Sequence, residues 1–79
     1  MWNVEKIEYE VRDSVRGVVM GGSSKGLFLL LENEESAFAA FGTLPYGTEV
    51  VCTLLRKAVG RRLAEVSIDA VVGNELMVA

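Results

Sequence analysis

The 79-residue chain has no histidine, one cysteine (Cys52), one proline (Pro45) and one tryptophan (Trp2). Each scarcity removes a class of chemistry. A lone cysteine excludes a disulfide within the monomer, and without histidine a cysteine–histidine metal cluster is excluded too. Cys52 has no imidazole to activate it and lies in phase with Val50 and Leu54. It therefore reads as a buried structural thiol rather than a nucleophile. Asp13, Glu49 and Asp69 are scattered, without the pairing that acid–base or metal chemistry needs. Long apolar runs are missing as well. The longest, Leu27 to Leu31, falls far short of the roughly 20 residues that span a bilayer. Met1-Trp2-Asn3-Val4-Glu5-Lys6 lacks the basic start and apolar core of a secretory signal. The expectation is a non-enzymatic protein with no cofactor, no metal and no membrane segment. A bacterial, cytoplasmic setting is expected, since an unpaired cysteine suits a reducing compartment.

What is present is apolar and locally charged. Hydrophobic residues make up 51% of the chain and the net charge is −3. A chain of this size holds one domain with a marginal core, which without staples depends on economical packing. A closed barrel meets that need because it leaves no long edge strands to protect. Charge is unevenly distributed, and the distribution matters more than the sum. No acid occurs from Ser14 to Leu31 or from Val50 to Ala64; acids gather in Glu5 to Asp13, in Glu32 to Glu35 and near the C-terminus.

Val15 to Met20 is a β-rich run, followed by Gly21-Gly22-Ser23-Ser24-Lys25-Gly26 as a flexible polar loop. Leu27 to Leu31 reads as a strand buried on both faces. Glu32 to Glu35 is a solvated turn. Ser36 to Phe41 suits either state, since alanine favours helix and brevity favours a strand. Gly42 to Thr48, with Pro45 and Gly47, is a loop. Glu49 to Arg56 is a strong strand with Val50, Cys52 and Leu54 on one face; Lys57 to Arg61 turns the chain. Arg62 to Val72 alternates, with Ala64, Val66, Ile68 and Ala70 facing one way. The expected organisation is an N-terminal arm or extra strand over 1–12, a barrel over 13–72 and a tail over 73–79. Trp2 and Tyr9 are expected to seal the barrel bottom, with contact to a partner as the alternative. The fold class is all-β, a five-stranded barrel of the OB type.

Three stretches carry a resemblance: Asp13 to Val19, Gly26-Leu27-Phe28-Leu29, and Tyr46-Gly47-Thr48-Glu49-Val50. With Gly60-Arg61 and Val66-Ser67, they make residues 13 to 69 similar to the RNA-binding repeat of the ribosomal protein S1 domain family. The resemblance implies single-stranded RNA bound on the face of strands two and three, with aromatic rings stacking on bases. Phe28 matches the second aromatic of the strand-two pair. Lys25 stands where the first would be, no histidine is present, and the aromatic near strand three is Phe38 or Phe41.

The residues read in the same direction without the resemblance. An OB barrel binds oligonucleotides with its strand two–three face and the loops joining strands one to two and four to five. Lys25 falls in the first loop; Arg56, Lys57, Arg61 and Arg62 flank the second. Phosphate contact would explain five of the eight basic residues gathering there, and Phe28 would add one stacking contact. Plainer readings stand beside these. Cations collect at hairpin tips because tips are solvated, and on strand pattern alone Phe28, Phe38 and Phe41 read as core residues ahead of a ligand platform. Gly21 to Gly26 is no nucleotide loop, because its lysine precedes the last glycine and a strand follows. The leading expectation is therefore a small protein binding single-stranded RNA or DNA, RNA ahead of DNA. The second is a protein-interaction or assembly module, with a protein partner or a homodimer, built on the same barrel.

Overall fold

The computed structural model describes residues 8–73. Trp2 and the rest of the expected arm before residue 8, and the tail from residue 74, lie outside the described residues. Five strands are formed: β1 Ser14–Ser23, β2 Gly26–Leu31, β3 Ser36–Ala39, β4 Glu49–Arg56 and β5 Ala64–Gly73. They close into a barrel in the order β1-β2-β3-β5-β4, with β4 returning to β1. All neighbours are antiparallel except β3 and β5. The fold is all-β and OB-like, with no helix among the described residues.

Period-two alternation builds the core. Val15 and Val19 of β1, Leu27, Leu29 and Leu31 of β2, and Val50, Cys52 and Leu54 of β4 point inward. The parallel pair β3–β5 contributes mainly small side chains, Ala37, Ala39 and Ala64, together with Val66. Small residues facing leucines is how a narrow barrel fills its interior without voids. That packing also settles Ser36 to Phe41. Alanine favours helix in isolation, but Ala37 and Ala39 are fully buried between two strands, so tertiary context overrides propensity.

Three sequence expectations need correction. The supposed loop Gly21 to Gly26 is mostly strand: β1 runs to Ser23, and only Ser24-Lys25 forms the turn. Gly26 is required by close approach, since a Cβ there would lie 2.3 Å from the Ala39 carbonyl oxygen. Second, β2 is not buried on both faces. Leu27, Leu29 and Leu31 are inside, whereas Phe28 and Leu30 are exposed, because a closed barrel has a single interior. Third, the Glu32 to Glu35 turn is more than solvated chain. Asn33 is buried, its Oδ1 accepting from Glu35 N at 3.1 Å, and Glu34 adopts a positive φ of 71°.

Both barrel ends are covered from the chain itself. The β3–β4 connection packs Leu44 against the core and is tied to β1 by Gly47 N donating to Val19 O and Val19 N donating to Thr48 O. At the other end Tyr9 packs on the core. Its hydroxyl donates to Glu32 Oε1, while Glu32 Oε2 accepts from Arg16 N at 2.7 Å. Tyr9 is thus one of the two residues expected to seal this end.

Candidate nucleic-acid interface

Strand register sets side chains side by side on the outer surface. Gly21 of β1 pairs with Phe28, Phe28 with Phe38 of β3, Phe38 with Glu65 of β5, and Glu65 with Arg56 of β4. This is one lateral row across all five strands. The Phe28 and Phe38 rings meet edge to face, with centroids 5.6 Å apart and planes at 61°, a favoured aromatic geometry. Phe28 is 41% exposed, so its alternative reading as a core residue is set aside; Phe38 is half-buried beside it. Phe41, just past β3, is also exposed. Next to the Gly21 position β1 carries a bulge, and Met20 within it is exposed.

The basic residues divide into two groups. Lys25 sits in the β1–β2 turn. Arg61 lies at the tip of the β4–β5 connection, where Val59 and Arg62 pair across a tight turn and Gly60 supplies φ +57°. These three cations are exposed and form no ion pair among the described residues. Arg56 and Lys57 are engaged instead. Arg56 contacts Glu65 at 3.1 Å, and Lys57 donates to Glu10 at 2.7 Å. That hydrogen bond raises the Lys57 pKa above its ordinary value. Because β2 and β5 run in opposite directions, the turn before β2 and the connection before β5 lie at opposite strand ends. Lys25 and the Arg61–Arg62 pair therefore bracket the two phenylalanines.

No protein-family model matches this chain, and no curated protein matches it significantly.

Other concave regions offer different chemistry. An open groove of about 410 Å³ runs over β1 and β2, with Val18, Leu30 and Gly17 on its floor and Arg16 bridged to Glu49 at its side. A cavity of about 220 Å³ lies beside Tyr9, among Val15, Leu31, Asn33, Leu54 and Lys57. Cys52 is fully buried, and its thiol is pushed up to about 11 by burial, with a smaller contribution from Asp69. Among the described residues no group of three or more acid or thiol side chains is placed to hold a metal ion. No helix among them is long and apolar enough to cross a membrane.

Glu65 and Met20 were not singled out from the sequence. Glu65 falls on the outward face by simple alternation, yet its place beside Phe38 depends on the parallel β3–β5 pairing, which no local pattern encodes. Met20 is outward by the same alternation that turns Val15, Gly17 and Val19 inward, and the bulge beside it, for which Gly21-Gly22 was the available signal, brings Gly21 opposite Phe28.

Proposed function

We propose that the chain binds single-stranded nucleic acid, RNA ahead of DNA, as a non-enzymatic binding protein. The observation that carries this reading is exposed Phe28 set edge to face with half-buried Phe38 on β2–β3, bracketed by Lys25 on one side and Arg61 and Arg62 on the other. Rings supply sequence-tolerant stacking platforms, and cations at both ends follow the phosphate backbone. The preference for RNA rests on the resemblance of residues 13–69 to the ribosomal protein S1 domain family. Within the basic set, Lys25, Arg61 and Arg62 are the direct phosphate contacts, while Arg56 and Lys57 contribute less because carboxylates already hold them. A fluorescence-anisotropy titration with a labelled oligouridine tests this. Salt-sensitive binding is expected, and absence of binding at low salt would end the proposal.

A second reading has one observation in its favour. Exposed Met20 and Leu30, with half-buried Val18, extend the apolar surface away from the phenylalanines over β1 and β2. Contiguous apolar surface of this kind also suits a protein partner or a second copy of the chain. Light scattering decides that case: a dimer that survives charge reversal at Arg61 and Arg62 would favour assembly over nucleic-acid binding.

A further inference from the structure

The lateral row does not end at the aromatic pair. Phe38 is the register neighbour of Glu65, and Glu65 that of Arg56. Arg56 Nη2 lies 3.1 Å from Glu65 Oε1, which among the described residues leaves Oε2 and a second lone pair of Oε1 available as acceptors, and further guanidinium N–H groups as donors. Both side chains are partly exposed. An ionised carboxylate beside a stacking platform is a poor neighbour for phosphate, so its position there is informative. It faces the strip where the edge of a base stacked on Phe38 would lie.

We propose that the Arg56–Glu65 pair reads the base on Phe38 and selects guanine, an inference that rests on the nucleic-acid reading above. In single strands the Watson–Crick edge is open to side chains. Guanine presents there one acceptor, O6, followed by two adjacent donors, N1–H and the N2 amine. A guanidinium next to a carboxylate presents the complement: one donor, then two acceptors. Uracil offers a single N–H flanked by two carbonyl oxygens, which the carboxylate repels. Cytosine and adenine each set a ring acceptor beside their amine, so only one carboxylate oxygen is satisfied. A polar site built for one donor pattern penalises bases lacking it, because its own groups are then left unpaired. The Arg56–Glu65 ion pair thus orients the carboxylate for recognition.

The test compares three labelled heptamers in anisotropy titrations: oligouridine, the same strand with one central guanosine, and the same strand with inosine there, which lacks only the N2 amine. Wild-type protein is expected to bind the guanosine strand about tenfold tighter than oligouridine, with inosine between them. Glu65→Gln, which exchanges one acceptor oxygen for a donor, is expected to abolish the difference while oligouridine binding persists. Its thermal unfolding is followed to confirm that the barrel is retained. Equal wild-type affinity for all three strands overturns guanine selection and leaves the nucleic-acid reading standing. A guanosine preference that survives Glu65→Gln overturns the role of Glu65. If the variant binds every strand equally more tightly, Glu65 acts only as a repelling charge and the inference fails. Absence of binding to all three overturns both readings together.

Discussion

Phe28 and Phe38 face one another across β2 and β3, their ring centroids 5.6 Å apart, yet Phe28 keeps 41% of its surface in solvent. The barrel interior is filled by Leu27, Leu29 and Leu31, so alternation sets the Phe28 ring on the outer face, where a base could reach it. Phe28→Ala should therefore lower oligonucleotide affinity by about 1–3 kcal/mol, the worth of one base–aromatic stack. Thermal stability should change far less than for a core truncation. Anisotropy and thermal unfolding on the same preparation check both halves; unaltered affinity would remove Phe28 from the interface.

Charge reversal separates the cations that form no ion pair among the described residues from the paired ones. With Lys25, Arg61 and Arg62 contacting phosphates, the logarithm of affinity should fall with the logarithm of salt at a slope of about −2, since each contact to a single strand contributes roughly −0.7. The double variant Arg61→Glu, Arg62→Glu should weaken binding and flatten that slope. Lys57→Ala should leave it almost unchanged, because Lys57 is already held by Glu10. A salt series of titrations measures this, and a slope insensitive to Arg61 and Arg62 would dissociate them from the phosphates.

Residues 49–56 show why parts of this barrel are legible in sequence and others are not. Val50, Cys52 and Leu54 alternate with polar or half-exposed neighbours, so strand and inner face follow from period two. In β2 five consecutive apolar residues conceal the same period, and the outward turn of Phe28 and Leu30 emerges only when the barrel closes. The basic residues were visible as a local cluster, but their partners were not. Glu10 is 47 positions from Lys57, and such a pairing is decided by three-dimensional proximity alone. The parallel β3–β5 register that puts Glu65 next to Phe38 is equally non-local. Local chemistry thus identified the strands, while the assembled barrel decided which side chains share a surface.

Gly26 is where sequence and packing meet most tightly. A Cβ at this position would come within 2.3 Å of Ala39 O and 2.6 Å of Phe38 Cζ, and the backbone atom has little room to move in a four-residue strand paired on both sides. Gly26→Ala should destabilise the protein by about 3 kcal/mol, at the upper end of overpacking costs. The same variant should disturb the Phe28–Phe38 geometry. Urea unfolding checks the first point; an unchanged midpoint would mean that β2 and β3 are less closely apposed.

Alkaline stability follows from two groups that ionise reluctantly in the folded state. Burial, with a smaller push from Asp69, raises Cys52 from 9.0 to about 11. Donation to Glu32, then burial and the charges of Glu32 and Asp13, raises Tyr9 from 10.0 to about 12. A folded-state value above the unfolded one means that the unfolded chain loses its proton first. The contribution of Cys52 is complete below about pH 9 and is lost as pH rises through about 11. That of Tyr9 is complete below about pH 10 and is lost through about 12. Unfolding free energy measured in urea should accordingly fall as pH rises from about 9, and Cys52→Ala should flatten the early part of that decline. Equal slopes for wild type and variant between about pH 9 and 11 would show that the thiol ionises as readily in the barrel as in the unfolded chain.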